Sequence, residues 1–370
     1  MKYYIIAGEA SGDLHGAGLM KALYKEDPEA DIRFWGGDLM QQAGGTLVKH
    51  YRELAFMGFA EVIGNLKTIL NNIKFCKKDI KAFQPDVIIF IDYPGFNMRV
   101  AKWAKLEGIK THYYISPQIW AWKENRIKAI RRDVDRMYVI LPFEKDFYEK
   151  KHHYPVEFVG HPLIDAIHNR NVVDENAFRK TNGFDNKPII ALLPGSRKQE
   201  ITKMLSVMLS VVNDFPDYQF VIAGAPGQEY AFYEKFLTNK NVHFIANKTY
   251  DLLDISTAAL VTSGTATLET ALFKVPEVVC YKGSWASYQI AKRVITLKYI
   301  SLVNLIMDKP VVAELIQGDC NTKRIKEELA KILEPNYRKS LLEEYDVLEE
   351  KLGRTGAAVK TAKLIVGDLR

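Results

Sequence analysis

DVIIFIDYPGFN, residues 86–97, decides the fold class. Five apolar residues, Val87 to Ile91, run without a polar interruption, and a carboxylate, Asp92, stands where the run ends. A strand covered on one face alternates apolar and polar side chains. An unbroken run needs cover on both faces, as in a parallel sheet held between helices. Tyr93-Pro94-Gly95 then turns the chain toward a helical stretch at 99–106.

The same grammar extends in both directions. YYIIA (3–7) and DIRFW (31–35) read as strands upstream, with a helix predicted near 17–24 between them. Residues 110–115 and 136–141 follow downstream. The pattern restarts at PIIALL (188–193) and continues through QFVIA (219–223), 243–245, 258–261 and 277–280. A polar stretch, 165–187, separates the two series. Strands alternating with helices make βαβ units. The expected architecture is α/β, with two Rossmann-like domains facing each other across a cleft. Ligands then belong beyond the carboxyl ends of the strands.

Composition narrows the function classes. The chain has 370 residues, enough for two domains, and 48% of them are hydrophobic. The formal net charge is +6. That suits anionic small molecules or an acidic membrane surface and is too weak to argue for nucleic acid. Cys76, Cys280 and Cys320 lie far apart with no metal-ligand spacing, so reduced thiols and no metal are expected. No apolar run approaches the roughly 18 residues of a membrane span. The expected location is therefore the cytoplasm, with any membrane met at its surface.

The residues that carry chemistry sit after the predicted strands. GEASGDLHG (8–16) follows the first strand and reads as an anion-favouring turn opening a helix. It offers Glu9, Asp13 and His15 as ionisable groups and Ser11 and Gly12 as binding positions. Asp92 is placed for general-base work on an alcohol. Ser116 and Trp120, in YISPQIWAWKENR (114–126), are candidates for a sugar or acyl site. In the second half, LLPGSRKQE (192–200) and TSGTATLE (262–269) both read as strand, small-residue turn and helix. Two such turns, one with Arg197, favour a diphosphate, with Ser196, Ser263, Gly264, Thr265 and Thr267 as donors. Glu269 could accept from a ribose. Gly224, in AGAPG (223–227), marks a third loop able to approach a base.

Taken together the chain resembles the lipid-A-disaccharide synthase family of GT-B glycosyltransferases. The resemblance rests on GEASGDLHGAGLM, LAFMGFAEVIG, QPDVIIFIDYPGFN, ISPQIWAW, LPFEKDFY, FVGHPLID, LLPGSRKQEI, SGTATLE and YISLVNLI, in order over nearly the whole chain. It implies an inverting transfer from UDP-2,3-diacylglucosamine to 2,3-diacylglucosamine 1-phosphate (lipid X). The products are lipid A disaccharide 1-phosphate and UDP, in a Gram-negative lipopolysaccharide pathway, without a cofactor. It implies an acceptor-binding, membrane-facing domain of residues 1–165 plus 345–370 and a UDP-sugar domain of 166–344. A helix over 354–369 is expected to pack on the first domain. Asp92 becomes the expected base, with Asp13, Glu9 and His15 as competitors. Asn304, Glu314 and Gln317 match family stretches and are expected at the cleft. Both substrates carry acyl chains, so docking on an anionic inner-membrane surface is expected. The apolar, lysine-flanked stretch 56–83 would provide it, with Phe56, Met57 and Phe59 exposed. A UDP-hexosamine 2-epimerase and a nucleotide-sugar-binding regulator are the competing readings.

Overall fold

The computed structural model describes residues 1–54, 66–225, 228–283 and 298–370. The chain divides into two compact units. One is Met1–Asn169 with Leu352–Arg370, and the other is Arg170–Lys351. These limits differ from the expected ones by several residues, because 345 lies inside the helix Pro335–Lys351 and 165 inside the helix Pro162–His168. The divisions fall at helix ends, where few contacts cross.

In the first unit the strands are β1 (Lys2–Ala7), β2 (Asp31–Gly36), β3 (Thr46–His50), β4 (Val87–Ile91), β5 (Lys110–Tyr114), β6 (Arg136–Val139) and β7 (Glu157–Phe158). Among the described residues they form one parallel sheet in the order β3-β2-β1-β4-β5-β6-β7. In the second unit they are β8 (Ile189–Leu193), β9 (Gln219–Gly224), β10 (Val242–Ala246), β11 (Ser256–Thr262), β12 (Glu277–Tyr281) and β13 (Ala313–Ile316). Their order is β10-β9-β8-β11-β12-β13, again all parallel. Both sheets thus follow the 3-2-1-4-5-6 winding of Rossmann folds. The direction of winding reverses between β1 and β4 in one sheet and between β8 and β11 in the other. Those two crevices are where ligands bind in such sheets.

Every residue of β4 and of β8 is buried, as the apolar runs required. The core of the first unit is braced by a polar network as well. The Trp35 indole donates to the Tyr4 hydroxyl at 2.9 Å, and Tyr4 donates to Asp79 at 2.8 Å. Arg33 grips the same carboxylate through two nitrogens, at 2.8 and 2.6 Å. One acid on the helix Leu66–Phe83 therefore ties together β1, β2 and that helix, and each buried polar group has a partner. On the same helix Ile73, Cys76 and Ile80 face the core, while Leu70 and Phe75 are exposed. Phe56, Met57 and Phe59 lie outside the described residues.

The helix Ala357–Leu369 packs in the first unit, against the helices Ala10–Glu26 and Pro162–His168. It is pinned at both ends. Asp165 accepts from the Gly356 and Ala358 N–H groups at 2.5 and 3.2 Å. Asp368, at the other end, meets Lys110, Arg136 and His112, and these hold its carboxyl down at about 2.

Candidate functional site

In the first unit the winding reversal brings the end of β1 beside the end of β4. Gly8 and Glu9 follow β1, and Asp92 and Tyr93 follow β4. The approach is close, for a Cβ on Gly8 would lie 2.3 Å from the Tyr93 ring. Asp92 is half-buried, and no other side chain hydrogen-bonds its carboxylate among the described residues. Burial, then the charge of Glu9, push its pKa up to about 6. Its backbone is in the left-handed region, φ 43°, as is that of Tyr93, φ 48°. Two side chains hold this strained turn by its carbonyl. Asn97 Nδ2 donates to the Asp92 oxygen at 2.7 Å and the Tyr113 hydroxyl donates to it at 2.5 Å.

The remaining candidates of this unit have other surroundings. The helix starts at Ala10, so Ser11 and Gly12 lie in its first turn, among the N–H groups that a helix leaves without partners, while Asp13 beside them is buried. Asp13 is 3% exposed, and its carboxylate accepts from the Gly37, Leu39 and Met40 N–H groups at 2.7, 3.1 and 3.0 Å. It caps the short helix Asp38–Ala43, and both its oxygens are engaged. His15 packs edge-on to His161, and burial lowers its pKa to about 4. Ser116 and Trp120 are tied to a residue that the sequence reading did not single out. Glu144, fully buried, accepts from Ser116 Oγ at 2.6 Å and from Trp120 Nε1 at 3.1 Å. It also accepts from the Ile140 and Leu141 N–H groups. The available signal was a Glu two residues after a Pro at a strand end, a helix-start pattern in which the acid reaches back to backbone N–H groups.

The second unit gathers seven of its candidates into one pocket of about 500 Å³. Three loops, after β8, β9 and β11, supply Ser196, Arg197, Gly224, Ser263, Gly264, Thr265 and Glu269. Two helix N-termini open onto it, those of Lys198–Met208 and Thr265–Leu272. Arg197 is exposed at the first of them, and its guanidinium has no hydrogen-bond partner among the described residues. Gly264 precedes the second with φ 151°, a conformation that favours glycine. Glu269 receives a hydrogen bond from the Tyr250 hydroxyl at 2.8 Å, and burial raises its pKa. Glu200 also lines the pocket, accepting from the Ser196 N–H at 3.2 Å. It was visible as the acid closing LLPGSRKQE.

Other expected donors serve the fold. Ser263 Oγ donates to the Ile300 carbonyl at 2.8 Å, and Thr267, wholly buried, donates to Gly264 O at 2.9 Å. Asn304 is 1% exposed, exchanges hydrogen bonds with the Val312 backbone in both directions and donates to the Glu314 carboxylate. Glu314 accepts from the Ile300 and Ser301 N–H groups at 3.0 and 2.9 Å. The pair braces residues 300–301 behind Ser263. Gln317 has φ 53° and its Nε2 is buried without a hydrogen-bond partner. None of Thr267, Asn304, Glu314 or Gln317 lines the pocket.

The family model for lipid-A-disaccharide synthetase matches residues 3–363. The chain belongs to that family. It is 42% identical to the lipid-A-disaccharide synthase of Syntrophus aciditrophicus, over 97% of this chain and 95% of that one. It is 39% identical to the synthase of Coxiella burnetii, over 98% and 96%. Solved structures show the GT-B architecture at much lower identity. A Neisseria meningitidis UDP-GlcNAc 2-epimerase bound to UDP-GlcNAc superposes with a TM-score of 0.68 at 14% identity, covering 100% of this chain and 99% of its own. The glycotransferase of kitacinnamycin gives 0.67 at 13% identity, covering 100% and 99%. Those likenesses speak to the fold. Membership of the lipid-A-disaccharide synthase family rests on the family model and the curated relatives.

Proposed function

We propose that Asp92 is the general base of an inverting glycosyl transfer and that the pocket of the second unit holds the UDP of the donor. The activity is that of the family: a glycosyltransferase of lipid A biosynthesis, acting on lipid-linked sugars. UDP-2,3-diacylglucosamine and 2,3-diacylglucosamine 1-phosphate condense to lipid A disaccharide 1-phosphate and UDP. The 6-hydroxyl of the acceptor attacks the anomeric carbon of the donor opposite the diphosphate. The bond from that carbon to the UDP oxygen breaks, and the hydroxyl proton passes to the base.

A single observation carries the assignment of the base. Asp92 stands at the winding reversal, half-buried, beside the like charge of Glu9, with no side-chain partner for its carboxylate. Asp13 differs in that it is buried and three backbone N–H groups occupy both its oxygens. The Arg197 guanidinium can grip a diphosphate through two nitrogens. The helix Thr265–Leu272 adds its N-terminal N–H groups to the departing charge. Glu269 has a second oxygen for a ribose hydroxyl. The substrates' acyl chains favour docking at the inner face of the inner membrane. Among the described residues no helix is long and apolar enough to cross a membrane.

The test is UDP release from the two purified lipid substrates. Asp92→Asn keeps shape and removes basicity, so kcat falls about 10²–10⁴-fold while UDP affinity stays unchanged. Near-normal turnover in the folded variant removes Asp92 from the role. Release of UDP without acceptor, or interconversion of UDP-sugars alone, would favour the epimerase reading.

A further inference from the structure

Along the first unit the helices Ala10–Glu26, Pro162–His168 and Ala357–Leu369 enclose a groove of about 630 Å³, more spacious than the nucleotide pocket. Apart from His15 it shares no residue with the chemistry above. Small residues make its floor. The Cβ that Gly18 lacks would meet only Ala358 Cβ, at 3.9 Å. Its rim is apolar and open, for Leu39 and Val359 line it while remaining 40% and 41% exposed. Apolar surface gathered around a concavity marks a binding site more often than isolated exposed side chains do.

The charge pattern is one-sided. Lys21 and Lys25 line the groove one helical turn apart on the same face. Two like charges at that spacing repel, and neither has an ion-pair or hydrogen-bond partner among the described residues. The one acid on the lining, Asp165, is already engaged by the N–H groups of Gly356 and Ala358. Aliphatic walls therefore meet two unpaired cations with no free carboxylate to answer them.

We propose that this groove binds a single acyl chain ending in an anionic head group, with the head at Lys21 and Lys25 and the chain running toward Leu14 and Leu39. From Leu14 to Lys25 is about 16 Å of helix at 1.5 Å per residue, the scale of a medium-length chain. The site is argued from the first unit alone and stands whichever residue is the catalytic base. Its occupant has two possible sources sharing this chemistry, an acylated sugar phosphate and an anionic bilayer lipid.

The probe is decyl phosphate below its micelle concentration, titrated by calorimetry into the full chain. Decyl phosphate is expected to bind at least about tenfold more tightly than decyl maltoside or inorganic phosphate. Lys21→Gln with Lys25→Gln lowers its affinity about tenfold, and Gly18→Leu, which fills the floor, lowers it further. UDP affinity is unchanged in all variants, and an unshifted melting transition of the first unit reports that it is folded. The lysine pair lies on the surface, so it keeps the test open should Gly18→Leu fail to fold. Displacement of the probe by lipid X assigns the groove to a second, unreacting acylated sugar phosphate, since a head group at Lys21 stands about 18 Å along the helix from Glu9. Displacement by phosphatidylglycerol alone assigns it to a bilayer lipid. Equal binding of decyl maltoside, or undiminished binding to the lysine variant, overturns the proposal.

Discussion

Asp92 and Tyr93 occupy consecutive left-handed positions, where side chains other than glycine cost of order 1–3 kcal/mol each. The surroundings over-determine that turn through Asn97, Tyr113 and the close fit of Gly8 to Tyr93, and the result aims one carboxylate out of the strand end. Such a base works only when ionised. With its pKa at about 6, kcat/KM should fall about tenfold per unit as pH drops below 6 and level off above it. Glu9 contributes part of that elevation as a like charge, whereas burial contributes the larger part. Glu9→Gln is therefore expected to move the acid limb to lower pH without returning it to an ordinary carboxylate value. A limb that stays in place when Glu9 is neutralised would mean that another group sets it. Arg197 makes a second prediction at this scale. Arg197→Ala should weaken UDP binding by about 1.5–3 kcal/mol, the range for hydrogen bonds to charged groups. Arg197→Lys should restore only part of it, because an ammonium lacks the planar fork. Calorimetric UDP affinity unchanged in Arg197→Ala would remove it from the diphosphate.

Single elements explain what could be read in the chain and what could not. Interior strands such as VIIFI and IIALL were legible because cover on both faces gives an unbroken apolar run, whereas Arg33 interrupts β2 and His112 β5. The three strands that went unrecognised, β3, β7 and β13, all lie at sheet edges. An edge strand is half covered, short and partly polar, as TLVKH and AELI illustrate, and its pairing partner is its main support. The nucleotide-side turns were legible for a related reason, since each follows an interior strand. Asn304 and Glu314 were named from family stretches alone, and their mutual hydrogen bond could not be read from the sequence. The helix Leu66–Phe83 yields a prediction of its own. Its outer face pairs Leu70 and Phe75 with Lys74 and Lys78, which have no ion-pair partner among the described residues. Phosphatidylglycerol vesicles should co-sediment the protein, less so as salt rises. Lys74→Glu with Lys78→Glu should weaken this by about 1 kcal/mol per lysine or more. Equal sedimentation of that variant, or equal binding to phosphatidylcholine, would exclude this face as the docking surface.

At the scale of the whole molecule, the first unit is built from both sides of the second. Cutting the chain after Lys351 would remove the helix Ala357–Leu369 and leave Arg170–Lys351 entire. The truncated protein is expected to bind UDP with its usual affinity, to lose transferase activity, and to show a separate, lower melting transition for the first unit. A single cooperative transition with full activity would show the helix to be dispensable. The same discontinuity sets an order on synthesis. Domains usually finish folding in the sequence in which the ribosome delivers them, at about 5–20 residues per second. Here the earlier-made unit cannot close until its last helix emerges, after the roughly 180 residues of the later one. For roughly ten to forty seconds of translation, the nascent sheet of β1–β7 waits with the flank of its first helix bare. The contiguous second unit, begun later, is free to complete first. During that interval the unfinished unit is a natural client for chaperones, and a pause in translation beyond Lys351 would lengthen its exposure.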